Sequence, residues 1–337
     1  VTIQIMVVDD SAFMRKVISD QINKIPNLSV CVTARSGEDA LHKLNKVKPD
    51  LITLDIEMTG MNGLETLEKI KTEFDIPVIM LSSHSGEEMT ITCLEKGAMD
   101  FVEKPANLSD IEESFTLELG SKIKSIVPSV EVKPVMKQVS DNKGKAFPTQ
   151  IKAIVIGAST GGPKALMQLI KCIPESLKIP IFIVQHMPKG FTKSFSNRLN
   201  QEASVEVVEA THGEMIRPGV VYVAPGDYHM RIDGRTIQLS EEEKIHSVRP
   251  AVDPLFHSAS KVYGKHLVGV ILTGMGSDGA DGMKVISENG GFNIAQNRET
   301  SVVYGMPRRA AELGVVDEVL SLDMIGTKID WMIRVKQ

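Results

Sequence analysis

Short apolar runs alternate with helix-length amphipathic stretches along nearly the whole chain, and that alternation is interrupted only once. The runs Ile3–Val8, Ser29–Ala34, Leu51–Leu54, Val78–Leu81 and Met99–Val102 are strand-sized and rich in β-branched residues. Between and after them lie segments with helical spacing: Ala12–Asn23, Gly37–Asn45, Gly63–Lys71, Glu87–Lys96 and Asp110–Leu119. Strand followed by helix, repeated, is the pattern of a parallel α/β sheet, because each helix carries the chain back to start the next strand in the same direction. Five such units predict one compact domain over residues 1–120.

The pattern stops at Ser121. From there to Gln150 the chain holds Pro128, Pro134 and Pro148, a scatter of lysines, and Ser140-Asp141-Asn142-Lys143-Gly144. Few apolar residues recur with any period, which predicts a hydrated linker over 121–150. Alternation resumes over 151–337. Strands are expected at Ile151–Ile156, Ile181–Gln185, Val205–Val208, Val220–Ala224, Leu267–Leu272 and Phe292–Ala295. Helices are expected near Pro163–Cys172, Thr192–Gln201, Pro254–Tyr263, Gly279–Glu288, Pro307–Leu313 and Met324–Ile333. Tyr228–Asp233 and Thr236–Leu239 flank Asp233-Gly234-Arg235, the signature of an antiparallel hairpin. The expected fold is therefore α/β in two domains: a five-stranded parallel, flavodoxin-like sheet, and a larger doubly wound, mostly parallel sheet with a hairpin.

Bulk properties narrow the function classes. The net charge of -5 leaves no basic footprint for nucleic acid. The apolar runs are far shorter than a membrane span, so no membrane insertion is expected. The first residues enter a strand without a basic n-region or cleavage site, and the 3 cysteines have neither CxxC nor metal-site spacing. A cytoplasmic protein with reduced core thiols is the expectation.

Asp9 and Asp10 end the first strand, Asp55 follows the third, Ser82 ends the fourth and Lys104 follows the fifth. Strand carboxyl ends of a doubly wound sheet converge on one crevice. Three carboxylates there would repel, and Mg2+ is the simplest neutraliser. Together with an ammonium and a hydroxyl, the set suits phosphoryl transfer onto Asp55. Simple helix capping by each acid would not account for Lys104. Val7-Val8-Asp9-Asp10-Ser11, Leu54-Asp55-Ile56-Glu57-Met58, Met80-Leu81-Ser82-Ser83, Gly97-Ala98 and Lys104-Pro105 resemble a response-regulator receiver domain. That resemblance implies Asp55 as phospho-acceptor, Asp9 and Asp10 with Asp55 as Mg2+ ligands, and Ser82, Phe101 and Lys104 as switch residues. The family usually has proline where Thr59 stands and aspartate where Asn62 stands.

In the second domain Gly157-Ala158-Ser159-Thr160-Gly161-Gly162 joins a strand to a helix. Such a turn presents a hydroxyl at the carboxyl end of a sheet, beside unpaired N–H groups of the helix that follows. A serine nucleophile needs a base, and the base needs an orienting acid. His186 directly ends the next strand. His42, His84, His212, His246 and His266 fall where surface groups are expected, while spacing alone leaves His229 and His257 open. Asp278 lies in Leu272-Thr273-Gly274-Met275-Gly276-Ser277-Asp278-Gly279, a second strand–glycine turn–helix. Its bland role would be to cap the helix that follows. Three sheet-edge turns offering Ser, His and Asp favour a triad, with the N–H groups of Thr160 or Met275 facing the oxyanion. The chain order Ser, His, Asp differs from that of α/β-hydrolases. A dinucleotide fold would want an acid where Gln185-His186 stands.

Ile156–Pro163, Gln185-His186-Met187-Pro188, Tyr222–Gly226, Arg249-Pro250-Ala251-Val252-Asp253, Leu272–Gly276 and Ser301–Pro307 resemble the catalytic domain of the CheB family of chemotaxis protein-glutamate methylesterases. The resemblance implies Ser159, His186 and Asp278 as the triad, and Thr160 and Met275 near the oxyanion. It implies hydrolysis of glutamate methyl esters on chemoreceptors, with deamidation of receptor glutamines, under control of the receiver. A chemotaxis histidine kinase would supply the phosphoryl group, ester hydrolysis would need no cofactor, and a monomer is expected. The competing classes are a phosphorylation-gated binding protein without activity and a regulator acting on DNA; the latter would need a basic or helix-turn-helix second half.

Overall fold

The structure, a computed structural model of the chain, describes residues 2–83, 86–105, 114–127 and 147–337. These divide into two compact units whose boundary falls inside 128–146.

The first unit is a five-stranded parallel sheet formed by β1 (Ile3–Val8), β2 (Leu28–Ala34), β3 (Leu51–Asp55), β4 (Val78–Ser82) and β5 (Asp100–Glu103), in the order β2-β1-β3-β4-β5. Helices α1 (Ala12–Lys24), α2 (Gly37–Leu44), α3 (Gly63–Glu73), α4 (Glu87–Glu95) and α5 (Ser114–Ile126) connect and cover it. Every residue of β3 and β4 is buried, as a central parallel strand covered on both faces requires. Strand order reverses between β1 and β3, so the crevice at their carboxyl ends receives Asp9, Asp10 and Asp55. Asn62, at the position where aspartate is usual, caps α3 in a complete capping box with Glu65.

Helix α5 runs to Ile126 and so takes the first residues of the span expected as linker. Ile123 is fully buried in the core with Phe115 and Leu119. Lys122 Nζ lies 3.2 Å from Asp100 Oδ1, 2.9 Å from Glu118 Oε1 and 2.6 Å from the Phe101 carbonyl. Burial works against its charge, yet Asp100 and Glu118 together hold the ammonium above its ordinary range. A lysine that reads as linker solvation is thus a packed cation. Lys122→Met should leave Asp100 buried without its partner and destabilise this unit by about 3 kcal/mol, measured as a lower urea midpoint. The expected helix start at Asp110 and His84 lie outside the described residues.

The second unit has a seven-stranded parallel sheet: β6 (Ala153–Ala158), β7 (Ile181–Gln185), β8 (Glu206–Glu209), β9 (Val220–Val223), β12 (Leu267–Ile271), β13 (Phe292–Gln296) and β14 (Glu318–Leu320). Their order is β14-β13-β12-β6-β7-β9-β8. The hairpin of β10 (His229–Asp233) and β11 (Thr236–Ser240) stands apart as an antiparallel pair. Helices α6 (Gly162–Ile170), α7 (Phe191–Glu202), α8 (Val252–Tyr263), α9 (Ala280–Glu288), α10 (Met306–Glu312) and α11 (Leu322–Lys336) complete it. From β6 the chain builds outward through β7 to β9, then returns to lay β12 on the other side of β6. The strand order therefore reverses between β6 and β12.

Three expectations shift here. β6 sits two residues later than expected: Ile151 and Lys152 donate to Lys336 and His266 carbonyls, outside the ladder, while Gly157 and Ala158 pair within it. Phe147 packs edge-on against Phe292 and Trp331, 4.7 and 5.1 Å between centroids, so the last residues of the expected linker belong to this unit. The remainder, 128–146, lies outside the described residues. Among the cysteines only Cys93 is buried; Cys31 is exposed and Cys172 half-buried, which corrects the expectation of three core thiols.

Candidate active site

Ser159 directly follows β6 and His186 directly follows β7. Ala158 and Gln185 are register partners, so the two residues emerge side by side from adjacent strands. The His186 N–H donates to the Ala158 carbonyl at 3.1 Å, and the Ser159 N–H donates to the Thr273 carbonyl at 3.0 Å. The β12–α9 turn is thereby pinned against the serine. At Gly274 a Cβ would approach within 2.8 Å of Ser159 Cβ, so no side chain fits there. Gly161 must be glycine for both reasons at once: its φ is +77°, and a Cβ would lie 2.6 Å from Val302 Cβ.

The imidazole is held by Asp278. His186 Nε2 lies 2.7 Å from Asp278 Oδ2, and the side chains are 11% and 2% exposed. Asp278 also accepts from the Val252 N–H at 2.6 Å and the Asp253 N–H at 3.0 Å. Asp278 therefore does not cap α9, whose N-cap is Gly279 without a side-chain bond. It seats its charge instead on the N-terminus of α8, where the cap residue Ala251 offers no acceptor. Burial pushes the Asp278 carboxyl up, but the His186 bond and charge and the two N–H donors outweigh it and hold it below the ordinary carboxylate value. An ionised Asp278 requires hydrogen on His186 Nε2, which leaves Nδ1 as the basic nitrogen. Among the described residues Ser159 and His186 side chains are not hydrogen-bonded to each other.

Thr160 is buried and Met275 is 37% exposed; their N–H groups have no acceptor among the described residues. Two further residues of the site, Gln185 and Thr273, are not evident from motif or spacing. The Gln185 amide donates to both the Ser159 and His186 carbonyls, at 3.1 Å each. Thr273 Oγ1 donates to the Thr160 carbonyl at 2.9 Å and accepts from the Val303 N–H. The available signal was a polar residue closing each otherwise apolar strand run. Of the histidines left open by spacing, His229 is buried between the Ala251 N–H and the Glu243 carbonyl, a structural tie. His257 lies on α8 with its Nε2 buried and unpartnered among the described residues.

In the first unit Lys104 Nζ stands 2.9 Å from Asp9 Oδ2 and 2.7 Å from Asp55 Oδ1. Asp9, Asp10 and Asp55 each bring a carboxylate oxygen within 4.8 Å of the others. Burial pushes the Asp55 carboxyl up to about 6 despite the pull of Lys104. One ammonium does not balance three carboxylates, two of them buried. Asp10 is tied by Thr59, which donates its N–H at 2.9 Å and its hydroxyl at 2.8 Å to Oδ2. Those bonds hold the Asp10 carboxyl below its usual range, and a proline at 59 would supply neither. Ser82 Oγ is turned to Thr90 Oγ1 at 2.6 Å, and Phe101 is buried.

An acidic pocket beside a lysine, joined to an α/β domain carrying Ser, His and Asp on neighbouring strand ends, defines a receiver fused to a serine-hydrolase-type unit. Residues 5–116 match the response regulator receiver domain, and residues 154–329 match CheB methylesterase. The chain belongs to the CheB methylesterase family. It is 46% identical to the protein-glutamate methylesterase/protein-glutamine glutaminase of Clostridium acetobutylicum, over 98% of each chain. It is 43% identical to the protein of the same name from Pyrococcus abyssi, over 96% of this chain and 91% of that one. The crystal structure of the Thermotoga maritima CheB methylesterase catalytic domain superimposes with a TM-score of 0.53 at 42% identity, covering 54% of this chain and 99% of that one. Among the described residues no helix is long and apolar enough to cross a membrane.

Proposed function

We propose that this chain hydrolyses glutamate γ-methyl esters on the cytoplasmic helices of chemoreceptors, deamidates selected receptor glutamines, and is switched on by phosphorylation of Asp55. The observation that carries the proposal is the His186–Asp278 bond beside Ser159, in a family whose curated relatives bear the methylesterase/glutaminase name. Ser159 Oγ attacks the side-chain carbonyl while His186 Nδ1 takes its proton. The oxyanion is met by the N–H groups of Thr160 and Met275. The imidazolium returns its proton to the departing methoxide or amide, and methanol or ammonia leaves an acyl-enzyme. Water then attacks with the same base, giving glutamate and free Ser159. Asp278 keeps the imidazole oriented and offsets its charge throughout.

The receiver pocket fits Mg2+ by the chemistry of its donors: hard carboxylate oxygens within 4.8 Å of one another, carrying more negative charge than Lys104 balances. Asp9, Asp10 and Asp55 would hold the ion, and when bound it offsets the charge of the incoming phosphoryl group. Asp55 then accepts that group from a chemotaxis histidine kinase. Lys104 pairs with the phosphoryl oxygens, Ser82 turns from Thr90 toward them, and Phe101 follows. The unphosphorylated receiver restrains the esterase. Residues 147–337 alone should therefore release methanol from methylated receptors faster than the unphosphorylated full chain, and Asp55→Asn should respond to no small-molecule phosphodonor. A fragment no faster than the full chain would refute restraint by the receiver.

A further inference from the structure

Behind Asp278 lies a second buried acid that the mechanism above does not use. Asp253 is in the first turn of α8 and only 6% exposed. Its N–H donates to Asp278 Oδ1, and its own Oδ1 accepts from the Gly282 N–H of α9 at 2.7 Å. Its Oδ2 is 3.6 Å from Nε2 of His246, which is 45% exposed. Ligand atoms of Asp253, Asp278 and His246 all lie within 4.8 Å of one another. Two carboxyls this close in a buried site cannot both ionise cheaply. Asp278 has the better claim to the charge, since His186 and the N-terminus of α8 serve it. The other groups facing Asp253 are Asp281 on α9, whose charge disfavours ionisation, and the half-exposed His246; His257 follows one turn along α8.

We infer that Asp253 is a positioning residue of the esterase site: protonated, it donates a hydrogen bond to Asp278, so that the group orienting His186 is an acid–carboxylate pair sharing one proton. Burial first, and the Asp278 charge second, push the Asp253 carboxyl up to about 7. The sharing thus ends near neutral pH. When the proton is lost to solvent, the donated bond becomes a repulsion between two like charges, and Asp278 is driven off its line to His186. Activity should therefore fall on the alkaline side as Asp253 loses its proton.

The inference rests on the esterase function for its kinetic consequence, and on the carboxyl pair alone for its chemistry, so it needs two measurements on the full chain. In the first, methanol release from methylated receptor membranes is followed against pH with a small-molecule phosphodonor. Asp253→Asn can still accept from Gly282 and donate to Asp278. It should stay within about threefold of wild type near pH 6 and lose the alkaline limb. Asp253→Ala should lower kcat roughly 10–100-fold with KM unchanged. A purely structural role would lower the Tm of both variants and leave the limb in place, and an alkaline limb unmoved in Asp253→Asn overturns the inference. In the second, 13C NMR of carboxyl-labelled aspartate in the wild-type chain should show one carboxyl outside the acidic pocket, unaffected by Mg2+, titrating near neutral pH. No such carboxyl overturns the inference even if neither variant folds. If the wild-type chain releases no methanol, the esterase function falls, and the carboxyl titration alone decides the shared proton.

Discussion

Ser159→Ala is expected to lower methanol release from methylated receptors by roughly six orders of magnitude, with the fold intact. Among the described residues the Ser159 hydroxyl makes no hydrogen bond, whereas its backbone N–H and carbonyl both do. The turn is held by other groups: the Ser159 N–H on Thr273, the Gly162 N–H on the Ser159 carbonyl at 2.7 Å, and the Gln185 amide on that same carbonyl. All of them survive the substitution. Tm should therefore stay within about a degree, since a change of a few tenths of a kcal/mol moves Tm by no more in a domain of this size. Radiolabelled methanol release and a thermal melt on the same sample separate the two effects. Near-normal release would remove Ser159 from the chemistry altogether.

Asp278→Asn should act on both quantities. Activity is expected to drop about 10⁴-fold, because an amide at this position reverses the donor pattern and leaves His186 in the wrong tautomer. Stability should drop as well, by about 1–3 kcal/mol, because the N–H groups of Val252 and Asp253 lose a charged acceptor. The pH dependence follows from the directions of the two acids. The Asp278 carboxyl is held below its ordinary 3.8, so its stabilisation is complete above that value and disappears as pH falls through the lower folded value. Asp253 runs the other way: raised to about 7, it costs nothing below 3.8 and its full penalty is reached only above 7. The asparagine variant should therefore lose the acid-side stability loss due to Asp278. It should also show a smaller alkaline decline, because Asp253 no longer faces a charge. Urea melts from pH 3 to pH 9 test both signs.

The parts of this fold that show in the sequence are those in which one physical demand acts alone. Buried central strands need unbroken apolar runs, so β1, β4 and β7 appear where the pattern places them. The strand-end chemistry is legible for the same reason, since Asp55, Ser159 and His186 each interrupt such a run at its carboxyl end. β14 escaped because three half-buried residues at a sheet edge need neither alternation nor an apolar run. Lys122 and Phe147 escaped because a lysine or an isolated aromatic in a polar stretch reads as solvated until its tertiary partner is known. Asp278 shows in the sequence as the acid for His186, but its tie to α8 does not. An aspartate before a helix is locally a cap, and only the return of α8 beside the β12–α9 turn reveals that its charge serves a different helix. Nor does spacing say which imidazole nitrogen faces Asp278, because that depends on the side from which Asp278 arrives.

The double engagement of Asp278 also bears on how such a domain can lose its activity over time. A lineage that kept this unit only for binding would not shed its machinery evenly. Ser159 can drift at almost no cost to folding, whereas Asp278 anchors α8 and would remain under selection for the fold itself. Retention of the acid in a relative is therefore poor evidence of turnover, and retention of the serine is good evidence. In this chain both the acid and the serine are present.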